Sequence, residues 1–158
     1  SVIIPANWVT DAITEKQSGI PFLIRPDITD DWNNVYMYAL GFDKPENSKE
    51  TIKTFVEGDI KSYKRNHPGI KIKKLKIKFE NIKNNKTLSG KYYVYEFSEF
   101  DNTYKEIVVY IEFPAGVGTI IFSTKSKEMY EKYYNDFISL VNSFQFIANK
   151  MTVIDLNK

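Results

Sequence analysis

The side chains with the most capacity for chemistry in this chain are lysines and carboxylates, and the two kinds lie apart. Lys71, Lys73, Lys74, Lys76 and Lys78 crowd one short segment, with Lys61, Lys64 and Arg65 just upstream. Clustered like charge attracts anions: lipid headgroups, nucleic acid or an acidic protein face. Lysine on an exposed strand also has a plainer use, because it keeps sheet edges from pairing with one another. Lysines without arginine, interleaved with aliphatic rather than exposed aromatic residues, read nucleic acid poorly. A protein or an anionic surface is therefore the expected partner, and nucleic acid is disfavoured. The carboxylates Glu96 and Glu99, and Glu106 and Glu112, fall on neighbouring strand-like segments. Paired carboxylates do acid–base work when their surroundings drive their pKa values apart. A small enzyme built on one of these pairs is the rival reading.

The remaining candidates are thinner. His67 is the one histidine, which excludes a histidine metal cluster or a His–His acid–base pair; it sits in Asn-His-Pro-Gly and reads as loop chemistry. Asp27, Asp30 and Asp31 offer oxygen ligands to a hard cation but lack the spacing and distal Glu of a calcium loop, so a solvated turn is expected. Gly116-x-Gly118 is the closest approach to a phosphate loop and reads as a hairpin link. Ser89 and Ser143 have no histidine placed to form a triad. Neither a cofactor nor a metal is expected. Tyr92, Tyr93, Tyr95, Tyr104 and Tyr110 either line a groove or interface or pack between sheet and helices with their hydroxyls at the rim.

A chain of 158 residues, 42% hydrophobic and 15% aromatic, has a globular composition and the length of one domain with a substantial core. The absence of cysteine excludes a disulfide scaffold, a thiol nucleophile and a thiolate-bound metal. No apolar run approaches the roughly 18–20 residues of a spanning helix. The chain opens on Ser1 with no initiator Met and no leader, so a processed or trimmed start is expected. Net charge is only +2, yet residues 1–60 carry 5 basic and 10 acidic side chains whereas 61–86 carry 10 and 1. That asymmetry singles out the lysine segment as the main electrostatic feature.

These groups must be held by elements that the pattern predicts. A β-branched run over 2–4, ended by Pro5, predicts a short edge strand, with Trp8 plugging one end of the core. Residues 21–24 and 33–40 predict two more strands, the second covered on both faces. Asn47-Ser48 followed by Glu50 has capping-box spacing and predicts a helix over 48–65, carrying Ile52, Phe55, Val56, Ile60 and Tyr63 on one stripe and weakened at Gly58. Asn66-His67-Pro68-Gly69 ends it. Residues 70–83 predict the basic strand, with a β-bulge at Lys73-Lys74 because the apolar parity switches there. Then come turns at Asn84-Asn85 and Ser89-Gly90, and strands over 92–97 and 105–113. Ala115 to Gly118 joins the last two strands, and a closing helix places Tyr130, Tyr133, Phe137, Leu140, Val141 and Phe144 on one stripe. The tail 151–158 either adds a strand or frays. The three late strands and this helix, over 87–147, organise the rest into an α+β fold: an antiparallel sheet with a helix on each face.

Four stretches carry a resemblance. Ile4-Pro5-Ala6-Asn7-Trp8 follows the first apolar run, Leu88-Ser89-Gly90-Lys91-Tyr92-Tyr93 opens an aromatic strand, and a late strand from Gly116 leads straight into a helix. That helix ends Asp136-Phe137-Ile138-Ser139-Leu140-Val141-Asn142-Ser143-Phe144. In these the chain resembles the PsbP-like family, which shares its fold with the Ran-binding import factor Mog. The resemblance implies an α/β/α sandwich around a mostly antiparallel sheet of about six strands. It also implies a non-catalytic binding or accessory module without active-site residues, acting outside the cytoplasm as a secreted protein or one lipid-anchored through a segment preceding Ser1. Photosystem or Ran binding is not carried over, since no interaction motif matches. An intracellular adaptor is the alternative within the binding class.

Overall fold

Three late strands with apolar side chains on both parities form the middle of the molecule, and the other strands are laid beside them. The computed structural model describes residues 1–28, 31, 34–45, 48–99 and 104–146. Asp30, Asn33, Asn47, Ile147 and the tail 151–158 lie outside the described residues. In chain order the elements are β1 (Trp8–Thr10), α1 (Ala12–Ser18), β2 (Phe22–Pro26), β3 (Val35–Asp43), α2 (Ile52–Asn66), β4 (Lys71–Lys74), α3 (Glu80–Lys83), β5 (Tyr92–Ser98), β6 (Lys105–Phe113), β7 (Gly116–Thr124) and α4 (Lys127–Ser143). The strands form one sheet in the order β1-β2-β3-β7-β6-β5-β4, with every neighbouring pair antiparallel. The architecture is the α+β sheet expected, with seven strands rather than about six. The two edges, β1 and β4, are only 3 and 4 residues long.

β6 explains the doubled apolar parity. Ile107, Val109 and Ile111 join the core beneath α4, whereas Val108 and Tyr110 join the core beneath α2. A strand covered on both faces needs no polar side. The α4 stripe lies where its 3.6-residue period puts it, with Tyr130, Tyr133, Phe137, Leu140 and Val141 buried. Phe137 stacks on Phe122 at 5.4 Å. Trp8 is buried, as expected of a plug; its ring meets Tyr133 edge-on at 5.3 Å and its Nε1 donates to Asp136 at 2.8 Å. The last carbonyls of a helix have no partner within it. Asn81 Nδ2 supplies one here, donating to Val141 and Phe144 at 2.8 and 2.9 Å.

Three boundaries differ from the sequence pattern. α2 begins at Ile52 because Thr51 and Thr54 form the capping box, each side chain accepting from the other's N–H. The Ser48 hydroxyl accepts from Glu50 N–H within the preceding loop and is spent there. The run over 2–4 is not a strand of the sheet. It is tied to the end of α4, with Ile3 N–H donating to Ser143 Oγ at 2.8 Å and Gln145 N–H to the Ser1 carbonyl at 2.8 Å. The last hairpin turns on Pro114-Ala115 alone, so Val117 and Gly118 already belong to β7.

Candidate binding surface at the basic edge strand

The basic segment keeps strand structure only over Lys71–Lys74, after which the chain leaves the sheet and makes a helical turn at Glu80–Lys83. The parity switch is the cause. Ile70 and Ile72 pack on the α2-side core, while Leu75 and Ile77 pack on the α4-side core and Phe79 is buried within it. A bulge would have kept all five on one face; instead the chain rounds the sheet edge and seals both layers. Leu75 N–H still reaches the Val94 carbonyl at 2.8 Å. Beyond it, the Tyr92 hydroxyl takes over from a strand partner, accepting from Phe79 N–H at 3.0 Å and donating to the Ile77 carbonyl at 3.2 Å.

This geometry divides the lysines. All five are exposed. With Ile72 turned toward α2, Lys71 and Lys73 project on the α4 side, because successive strand side chains alternate. Lys74 projects on the α2 side, its Nζ 4.6 Å above the Tyr93 ring. The β-bulge predicted at Lys73-Lys74, which would have sent all five ammonium groups to one side, is not formed: the register with β5 runs unbroken. Lys73 stands opposite Glu96 in register. That carboxylate is already engaged, by Lys105 Nζ at 3.5 Å and the Tyr130 hydroxyl at 2.6 Å. Among the described residues Lys73, Lys74, Lys76 and Lys78 have no ion-pair partner, so the positive charge of these four is uncompensated there.

The structure brings neither carboxylate pair together. Glu96 lies on the α4 side with Tyr130, whereas Glu99 lies beyond the end of α2, its Oε1 3.2 Å from His67 Nδ1. Glu106 and Glu112 sit at opposite ends of β6. Glu112 is held by Lys91 at 3.5 Å, and the Ser89 hydroxyl, above all, with Lys91 keeps its carboxyl below the usual range. Glu106 is only 2% exposed. The hydroxyls of Tyr63, Tyr104 and Ser123 surround it, Tyr104 at 2.6 Å. Burial nonetheless raises its pKa above the ordinary carboxylate value. A general acid or base must reach the proton it moves, and this carboxyl is wrapped by the protein's own hydroxyls.

Sequence reasoning missed that cage: Tyr104 and Glu106 share a strand's two-residue spacing, but Tyr63 comes from α2, 43 residues before Glu106. His67 does more than end α2: its ring stacks on Tyr104 at 5.6 Å and pairs with Glu99. The Asp31 carboxylate accepts from Lys132 Nζ at 2.8 Å and from the Tyr133 hydroxyl, an ion pair rather than a solvated turn. Tyr110 is fully buried and donates to Asp59 at 2.6 Å. A cleft of about 380 Å³ flanks the β6–β7 turn, lined by Phe42, Lys44, Glu50, Ser89, Glu112 and Val117 among others. Among the described residues no helix is long and apolar enough to cross a membrane.

No family model and no curated protein matches the sequence. The fold does have a counterpart. The solution structure of cyanobacterial PsbP from Synechocystis sp. PCC 6803 matches 90% of this chain and 84% of its own, with a TM-score of 0.54 and 12% sequence identity. At that identity the likeness concerns the fold alone. The chain has a PsbP-like fold.

Proposed function

We propose that the protein is a non-catalytic binding or accessory module that engages an acidic partner surface through Lys71, Lys73, Lys74, Lys76 and Lys78. The observation that carries this reading is the exposed positive charge of Lys73, Lys74, Lys76 and Lys78, which has no ion-pair partner among the described residues. The PsbP-like fold supports the accessory role, and the wrapping of Glu106 and separation of the other carboxylates argue against the enzyme reading. Action outside the cytoplasm belongs to the same proposal, and fractionation of cells carrying the full-length gene product tests it.

The surface is tested with poly-glutamate as the acidic probe. Exposed charges attract over about 10 Å at 0.1 M salt and over about 30 Å at 0.01 M, so binding at low salt should fade as salt is added. Changing Lys73, Lys74 and Lys76 together to Gln should weaken it while circular dichroism stays unchanged. Equal binding by wild type and the triple variant, or no binding by either at low salt, would leave these lysines as keepers of solubility alone.

A further inference from the structure

We infer that the occupant of this edge is an extended acidic peptide that adds to β4 as an eighth strand. The inference rests on the reading of the lysine edge as a working surface and names how that surface is used. Three observations lead to it.

The first is the direction of the main chain. In an antiparallel pair, alternate residues turn their N–H and C=O toward the partner strand. Leu75 N–H bonds to Val94, and Lys73 and Lys71 share its phase along the register with β5. Ile72 and Lys74 therefore turn their N–H and C=O groups outward. β4 is the last strand of the sheet, and nothing among the described residues pairs with that side. A peptide strand laid there finds alternating donors and acceptors in place, as in other strand-addition complexes.

The second is the splitting of the lysines. A flat anionic surface facing either side of the sheet meets only the ammonium groups that project that way. Lys71 and Lys73 project on the α4 side and Lys74 on the α2 side over Tyr93. An added strand sends its own side chains to both sides in alternation. Consecutive acidic residues on it meet Lys73 and Lys74 at once, which neither face presented to a membrane achieves.

The third is selectivity. A second copy approaching edge to edge would set lysine against lysine, so the charge that blocks self-pairing admits an acidic strand. The carboxylate opposite Lys73 in the sheet, Glu96, is held by Lys105 and Tyr130. Among the described residues no counter-ion has to be displaced from Lys73, Lys74, Lys76 or Lys78.

The experiment uses the whole chain and a synthetic peptide of consecutive Glu-Asp pairs separated by Thr-Val, beside the same peptide N-methylated at every amide, so that neither edge keeps its donors. Both peptides carry the same charge, but the methylated one cannot supply a strand ladder. Binding is read by fluorescence anisotropy at low salt. Strand addition predicts about a tenfold or greater loss on methylation, the scale of a few net hydrogen bonds. It also predicts that Lys74→Pro binds about tenfold more weakly than Lys74→Gln, since proline removes an outward N–H without touching the β5 ladder. Equal binding of the two peptides overturns strand addition and leaves charge attraction standing. So does equal binding by the two variants, or preference for phosphatidylserine vesicles over the unmethylated peptide. If neither peptide nor poly-glutamate binds at low salt, the surface reading falls as well. Should Lys74→Pro fail to fold, the methylated peptide on the wild-type chain decides the matter.

Discussion

Glu106 and Asp31 are both carboxyls of low exposure, and their surroundings push them in opposite directions. Burial raises the pKa of Glu106 above its ordinary 4.5 despite the hydroxyls of Tyr104, Tyr63 and Ser123. The folded state then holds this proton more tightly than the unfolded chain does. Its contribution to stability is full below the unfolded pKa and is lost as pH rises through the folded one. Glu106→Gln keeps the shape and removes the titration. In urea unfolding, wild type should lose stability relative to this variant as pH climbs above about 4.5. A difference constant from acid to neutral pH would show that Glu106 does not titrate there. The hydrogen bond from Lys132, aided by Tyr133, lowers the pKa of Asp31 below its ordinary 3.8. Its contribution is present above the unfolded pKa and lost as pH falls through the folded one. Asp31→Asn should therefore flatten the acid limb below about pH 4 and leave the neutral range level.

Helix ends and helix stripes separate what the sequence displayed from what it concealed. Thr51→Ala removes the N-cap of α2 and should cost about 1 kcal/mol, whereas Ser48→Ala, in the loop, should cost far less. If thermal melts rank the two the other way, α2 starts where Asn47-Ser48-Lys49-Glu50 suggested. Phe137→Ala opens the α4 core between Phe122 and the helix and should cost about 3–5 kcal/mol. A melting temperature unchanged within a degree or two would mean the helix phase is wrong. The α4 stripe was legible because a 3.6-residue period over 17 residues leaves little freedom. β5, β6 and β7 were legible as strands because covered strands are apolar on both parities. The α2 start misled because two stretches of capping-box spacing, Asn47-Ser48-Lys49-Glu50 and Thr51-x-x-Thr54, follow one another in the sequence. At the candidate site the lysines and the parity switch were visible in the sequence. The meaning of the switch was not, because a bulge and a strand rounding a sheet edge give the same one-residue slip. What separates them is Tyr92, whose hydroxyl bonds the main chain of Ile77 and Phe79 from across the sheet edge. Nothing local in the sequence announces that contact.

At the scale of the whole molecule, one sheet carries two unequal cores. The larger lies beneath α4, and the smaller beneath α2 contains the Glu106 cage and ends at the basic edge. Charge removal at Lys73, Lys74 and Lys76 falls outside both cores, so the triple Gln variant tests binding without testing the fold.

The strand order also sets a schedule. β5, β6 and β7 are joined by short connections and can find one another early, but β3 must wait for β7, which begins 73 residues after β3 ends. Closing so long a loop is slow, and its entropy is lost before the pairing from Val35–Thr124 to Asp43–Gly116 gives anything back. Stopped-flow chevrons should therefore show Ile121→Val in the late hairpin slowing refolding, and Met37→Ala in β3 mainly hastening unfolding. Until β3 arrives, the β3-facing edge of β7, lined by Ile120, Ile121 and Phe122, stands open to solvent. During that interval β7, with no lysine between Gly116 and Thr124 to guard it, is the segment through which the newly made chain would aggregate.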